Sequence, residues 1–140
     1  MADQDIINLV REQIDAQNAQ DDNRLGATVT DDYVYNEFGT QRRVQGRQAW
    51  VELWQGWRQA FPDVKGTIQN VFVSGNQAVA EVTWDGTLQG DFVGPGGTIS
   101  ANGKRMQDLH TAFVYTAEGA KLKEVNVYFD IAALIQQISP

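Results

Sequence analysis

The sequence predicts an α+β fold, a single domain over residues 1–140 in which helices cover one face of a curved antiparallel sheet. Three observations predict it. Helical periodicity is confined to the first 61 residues and the last ten. Strand periodicity fills residues 66–130. Gly86 and Gly90 interrupt a strand pattern, where glycine marks a bulge or sharp bend. A chain of 140 residues is long enough to bury one sizeable core. A bent sheet closed on one side by helices makes a cone with an open mouth, and such a cavity suits a small apolar molecule.

Each element has its own signal. Ile6, Val10 and Ile14, with Ile7 beside them, recur at helical spacing over residues 4–19, behind Asp3 or Asp5 as N-cap. Asp21, Asp22 and Asn23 break that helix and begin a short second turn. Tyr33 to Asn36 reads as a short strand that Gly39 ends. After Gly46 a stronger helix follows, because Trp50, Leu53, Trp54, Trp57 and Phe61 form one apolar stripe, and Pro62 stops it. Residues 66–74 form a strand ending in Ser74-Gly75-Asn76. Residues 77–92 form a second, with Ala78, Ala80, Val82 and Trp84 on one face. The glycine-rich stretch 94–103 reads as a lid or surface turn, since it lacks the spacing and the following helix of a phosphate cradle. Residues 105–115 and 121–130 form a hairpin across the turn 116–120. Ile131, Leu134, Ile135 and Ile138 close the chain as a short helix capped by Asp130. The sum is four long strands plus a short one, three N-terminal helices and a short C-terminal helix.

Composition narrows the partners. Eighteen acidic against eleven basic residues give a net charge of −7, which opposes binding to nucleic acid or to anionic membranes. No cysteine and a single histidine argue against disulfides, thiolate catalysis and a metal site. The N-terminus has neither a basic region nor an apolar signal core, and no run approaches the roughly 20 apolar residues of a spanning helix. The expected protein is cytoplasmic, with no cofactor and a neutral or apolar small-molecule partner.

The hairpin carries the candidate chemistry. With a turn symmetric about Glu118 and Gly119, His110 lies opposite Asn126 to Tyr128, with Glu124 a diagonal neighbour. Strand alternation puts Asp108, Met106, Ala112 and Val114 on the face of His110, so Asp108 is a rival acid. A ring that titrates near neutral pH beside a carboxylate is an acid/base pair; the bland alternative is a satisfied core histidine and solvent-facing acids. Glu124, Asn126 and Tyr128 alternate against Val125, Val127 and Phe129, which ordinarily places the polar set in water. A dimer covering the apolar set would instead turn Glu124, Asn126 and Tyr128 into the cavity. Asp85 reads as a solvent residue of an edge strand. Trp54, Trp57 and Trp84 are candidates for an aromatic cavity wall, with core packing the stronger reading for Trp50 and Leu53. Bulky inward side chains such as Trp84, Phe113 and Tyr128 would alternatively fill the cone.

A succession of motifs then resembles a family. Gly46-Arg47 precedes the tryptophan-rich helix and Ala60-Phe61-Pro62-Asp63 follows it. Trp84-Asp85-Gly86-Thr87, Gly90-Asp91-Phe92 and Asn102-Gly103-Lys104 come next, then Leu122-Lys123-Glu124 and Asp130 ahead of Leu134-Ile135-Gln136-Gln137. Their order over roughly residues 25–138 resembles the SnoaL-like polyketide (ester) cyclases. The resemblance implies the cone-shaped fold of nuclear transport factor 2 and ketosteroid isomerase, a homodimer formed through the outer sheet face, and no metal. It also implies ring closure by intramolecular aldol condensation, with a carboxylate as acid/base and a nearby histidine. Carried over, the histidine is His110, the acid Glu124, and Asn36 a polar contact near the mouth. The expected function is a cofactor-independent cyclase, of lyase or isomerase class, acting on a small apolar or aromatic carbonyl-containing molecule. The alternative is a non-catalytic small-molecule binding or dimerisation domain on the same fold.

Overall fold

Apolar residues repeat with a helical period early in the chain and a strand period later, and the chain folds accordingly. The computed structural model describes residues 2–140. In order it contains α1 (Asp3–Ala19), α2 (Asp22–Gly26), β1 (Val29–Glu37), β2 (Arg42–Gln45), α3 (Arg47–Ala60), β3 (Lys65–Ser74), β4 (Gln77–Thr87), β5 (Phe92–Gly94), β6 (Gly97–Ile99), β7 (Arg105–Glu118), β8 (Lys121–Phe129) and α4 (Ile131–Ile138). Six strands form one sheet in the order β2-β1-β8-β7-β4-β3, and β5 pairs only with β6. The helices close this curved sheet into the cone of the nuclear transport factor 2 type.

Three details depart from the sequence expectation. The sheet is mixed, because β1 runs parallel to β8 while every other adjacent pair is antiparallel. The first strand is longer than Tyr33–Asn36 and turns back through Gln41, whose φ of 56° is left-handed, into the short β2. Only Arg42 and Val44 of this four-residue edge strand point inward, and one of them is charged, so β2 carries no apolar alternation to read. The strand expected to run to residue 92 stops at Thr87, and the glycine-rich loop holds the β5–β6 hairpin.

Register aligns residues in rows across the sheet. One inner row is Val71–Ala80–Phe113–Val127–Glu37–Arg42, and the next is Val73–Ala78–Tyr115–Val125–Tyr35–Val44. An outer row is Phe72–Val79–Val114–Asn126–Asn36–Arg43. The inner rows bury against Ile6, Val10 and Ile14 of α1 and Trp50, Leu53 and Trp54 of α3. Trp50 packs edge-on to Tyr33 with ring centroids 4.9 Å apart, as a core residue does.

Polar contacts pin the helices to this frame. Asn18 accepts from the Gly66 N–H at 2.8 Å and donates to the Gly66 carbonyl at 2.9 Å, tying α1 to β3. Gly66 must be glycine, since a Cβ there would lie 2.7 Å from the Trp84 ring. Arg58 of α3 pairs with Asp22 at 2.6 Å. Burial pushes the Asp22 carboxyl up, but hydrogen bonds from Gln55 and Arg58 and the Arg58 charge outweigh it, so it sits below the usual carboxylate range.

The N-cap of α1 is Ala2 rather than Asp3 or Asp5; Asp5 lies in the first turn and accepts from the Ala2 N–H at 3.2 Å. Asp130 caps α4, accepting from the Ala132 and Ala133 N–H groups at 3.0 and 3.2 Å. Replacing Asp130 by alanine is expected to cost about 1 kcal/mol and to lower Tm by about 3 °C, read by thermal melting. An unchanged melt would show that water serves those two amides equally well.

Candidate active site

β1 places three residues on the inner face two positions apart, Tyr33, Tyr35 and Glu37, and all three are buried. Two aromatic rings at this parity carry the strand into the core, and Glu37 continues it. Glu37 is only 1% exposed, and it lines a small cavity of about 40 Å³ that is partly open to solvent. The rest of the wall is almost wholly apolar or aromatic: Tyr35 from β1, Trp54 and Trp57 from α3, Trp84 from β4, Leu109 and Phe113 from β7, Val127 and Phe129 from β8. Glu37 is the one carboxylate among the lining residues.

Three donors hold that carboxylate. The Tyr35 hydroxyl donates to Oε2 at 2.5 Å, and the Thr40 hydroxyl and Arg42 Nη2 donate to Oε1 at 2.5 and 2.8 Å. An ionised carboxylate has about four acceptor positions, so one lone pair on Oε2 is left for a further partner. Arg42 in turn lies over the Trp57 ring, 5.9 Å from its centroid, so the same side chain orients the acid and braces the aromatic wall. Burial, then the adjacent Glu37 charge, pushes the Tyr35 phenol well above its ordinary value. Tyr35 therefore stays protonated and donates. Further along the same sheet, Thr111 of β7 accepts from Trp84 Nε1 at 3.0 Å and donates to the Val82 carbonyl at 2.7 Å, so its hydroxyl is already engaged.

The residues singled out on the hairpin lie elsewhere. His110 is exposed on the outer face, opposite Thr83 of β4. Glu124 pairs with Thr116, six residues further along β7, which at 3.3 Å per residue is about 20 Å from His110. The hairpin pairs three residues off the assumed register, with Thr111 opposite Phe129 instead of Asn126, so His110 and Glu124 do not meet. Asp108 sits in a bulge of β7 with a left-handed φ of 48°, its N–H donating to Asp85 at 3.1 Å. That bulge puts Met106 and Leu109 both inside, so strict alternation misassigns Met106 to the face of His110. Asp85 is correspondingly on an interior strand, since β3 and not β4 is the sheet edge on this side.

The polar set of β8 faces outward. Asn36 donates to Asn126 at 2.9 Å and to Glu124 at 3.5 Å, a cluster on the outer face, and Tyr128 is 47% exposed there. Val125 and Val127 are buried inward against the helices of the same chain, so no partner is required to cover them. Trp54, Trp57 and Trp84 do line the cavity. Trp84 and Phe113 narrow the cone without filling it.

Glu37 lies one residue beyond the strand that the sequence predicts, which ends at Asn36 on the opposite face. The parity of Tyr33 and Tyr35 was the signal that would have found it. Arg42 and Thr40 gave none, since only the β1–β2 turn brings them back to Glu37. Among the described residues no group of three or more His, Asp or Glu side chains is placed to hold a metal ion, and no helix is long and apolar enough to cross a membrane.

Solved structures share this fold over nearly the whole chain. A candidate SnoaL-like polyketide cyclase from Jannaschia sp. CCS1 superposes with a TM-score of 0.86 at 20% identity, covering 97% of this chain and 92% of that one. TsrD from Streptomyces laurentii gives 0.84 at 20% identity, over 99% and 97%. An epoxide hydrolase of M. tuberculosis, of the LEH-like type, gives 0.74 at 18% identity, over 96% and 90%. At such identities the likeness is one of fold, and the same cone serves different reactions. No curated protein sequence matches the chain. The model of the SnoaL-like polyketide cyclase family matches residues 7–138, and the chain therefore belongs to that family.

Proposed function

We propose that the chain is a cofactor-independent, cyclase-like enzyme of the lyase or isomerase class, which uses Glu37 as acid/base on a small apolar or aromatic carbonyl compound in the cone. The observation that carries this reading is one buried, donor-oriented carboxylate on an otherwise apolar and aromatic wall. Aromatic walls favour a flat ligand. Exclusion of water strengthens every charge interaction made inside. Glu37 would remove a proton from a carbon beside the carbonyl, the first event of both aldol ring closure and isomerisation. A positioned base of this kind contributes about 10² to 10⁴ in rate. Holding a flexible chain in a reactive shape adds to that.

The test is exchange of the α-hydrogens of 2-tetralone, a flat apolar ketone, for deuterium, followed by proton NMR. The expected outcome is exchange far faster than in buffer alone at the same pH. Absence of both acceleration and binding, the latter read by tryptophan fluorescence, would sink the reading. Binding without acceleration would favour the alternative, a non-catalytic binding protein. That alternative also has an observation behind it, because three donors already engage Glu37.

A homodimer through the outer sheet face is part of the same proposal. Phe72 is 60% exposed on this face, Tyr128 stands exposed three strands away, and Val79, Ala112 and Val114 lie on the two strands between them. Light scattering after gel filtration should give twice the chain mass, and Phe72→Glu should shift it toward the monomer. A wild-type monomer at high micromolar concentration would refute the pairing.

A further inference from the structure

We propose that the groove between α3 and the β5–β6 hairpin is the outer half of the ligand site, and that it takes a neutral, oxygen-bearing tail of the molecule whose flat carbonyl head lies at Glu37. The inference rests on the reading of the cone as a site for a carbonyl compound, and it names the part of that compound which the cone does not enclose. The cavity at Glu37 holds about 40 Å³, well below the roughly 300 Å³ at which ordinary small-molecule sites begin. A second space of about 150 Å³ lies beside it, and Trp57 belongs to the walls of both. Trp57 is half-buried where Trp50 and Trp54 are buried, so it is the tryptophan of α3 with room to shift aside. A ligand larger than the cavity finds its further room past the edge of this ring.

Gly56 and Trp57 of α3 form one side of the groove and Phe92 and Val93 of β5 the other, with the Trp57 and Phe92 ring centroids 5.4 Å apart. Val93 is 73% exposed, apolar surface that the fold itself leaves uncovered. Gly56 is an independent sign. It lies inside α3, where glycine costs about 1 kcal/mol relative to alanine. A Cβ there would meet nothing within 4 Å, and its φ is not left-handed, so neither packing nor backbone requires glycine. What a side chain at this position would do is occupy the groove.

Arg42 joins the two halves. Its Nη2 donates to Glu37, its side chain is 42% exposed, and it lines the groove. A guanidinium carries five N–H donors and no acceptor, so those left over select a ligand oxygen that accepts. Charge decides between a neutral and an anionic tail. Asp91 lines the groove and Glu37 lies behind Arg42, so two carboxylates flank the one cation. An ether, ester or ketone oxygen meets Arg42 without their repulsion. A tail held there also fixes the head, since binding energy far from the reacting carbon serves to position it.

Three probes with one head test it on the full chain: 2-tetralone, 6-(2-methoxyethoxy)-2-tetralone, and 6-pentyl-2-tetralone, whose tail has the same length and no oxygen. The ether-tailed probe is expected to bind about tenfold more tightly than 2-tetralone, the gain from one hydrogen bond to a charged donor, and more tightly than the pentyl compound. Gly56→Leu fills the groove with a better helix former. It should cancel the gain of the tail while changing 2-tetralone binding less than twofold. The second readout needs no variant. In wild-type protein the terminal methyl protons of the ether tail should show nuclear Overhauser contacts to the Val93 methyl groups. A tail that adds no affinity, equal weakening of 2-tetralone and the ether-tailed probe by Gly56→Leu, or a bound tail without contact to Val93 overturns the proposal and leaves the cavity reading intact. Pentyl binding as tight as the ether overturns the assignment of an oxygen to Arg42. Failure of wild-type protein to bind any of the three removes the cavity reading and this inference with it.

Discussion

Replacing Glu37 by glutamine is expected to slow the α-hydrogen exchange of 2-tetralone by at least about a hundredfold, the usual contribution of a positioned base, with the fold retained. Glutamine is nearly isosteric, and its amide oxygen still accepts from Tyr35 or Thr40. It cannot take the substrate proton. Arg42 loses its charged partner, but its side chain is 42% exposed, so water takes over much of its solvation. The stability cost should be about 2 kcal/mol, that of a lost hydrogen bond to a charged group, short of unfolding. The matched control is Glu124→Gln on the outer face, where the residue contacts Asn36 and no cavity atom. That variant should keep its activity within twofold. Undiminished exchange in Glu37→Gln would remove Glu37 from the mechanism, and loss of exchange in Glu124→Gln alone would return the site to the outer face.

Gly90→Ala is the substitution with the largest expected effect on stability. A Cβ at this position would stand 2.0 Å from the Gln59 carbonyl oxygen and 2.9 Å from its carbonyl carbon. Both are backbone atoms at the end of α3, so no side chain can swing aside. The chain approaches this closely because the N–H groups of Gln89 and Gly90 donate to the Ala60 carbonyl at 3.0 and 3.1 Å, satisfying a carbonyl left open by the helix terminus. Adding a methyl group must push the loop off the helix and break both bonds. A loss of about 3 kcal/mol follows from overpacking of this kind, with Tm lowered by about 10 °C. Gly96→Ala, at the tip of the β5–β6 hairpin where nothing lies within 4 Å, should be neutral in the same melt. If the two alanine variants melt together, the close approach at Gly90 carries no energetic weight.

The same glycine shows what periodicity could and could not convey. Gly90 read as a bulge within a long strand, yet β4 ends at Thr87 and Gly90 is a docking point for α3. Local pattern signals that a backbone is special; it does not say which distant carbonyl makes it so. The hairpin of β7 and β8 was legible as a hairpin, and its residue pairing was not. The turn closes one residue later than assumed, an irregularity at Thr116 and Ala117 brings the register three residues off, and the bulge at Asp108 reverses parity for the residues before it. Since side chains alternate faces at every residue, these small shifts carried His110, Asp108 and Glu124 out of a proposed common site.

The sequence by itself determined the class of the fold, the family, the helix with its tryptophan stripe, and the cap at Asp130. Those features rest on contacts within a few residues or on motifs in fixed order, which a linear reading preserves. Only the tertiary structure decided the site. Glu37 meets Arg42 across the β1–β2 turn, Val127 across the parallel β1–β8 pair, and Trp57 through Arg42. A parallel pairing between strands some ninety residues apart leaves no trace in local periodicity, because its register is set by how the whole sheet curves beneath the helices. The physical reason is that burial of a polar group is a property of everything packed around it, and Glu37 is enclosed by residues that come from distant parts of the chain.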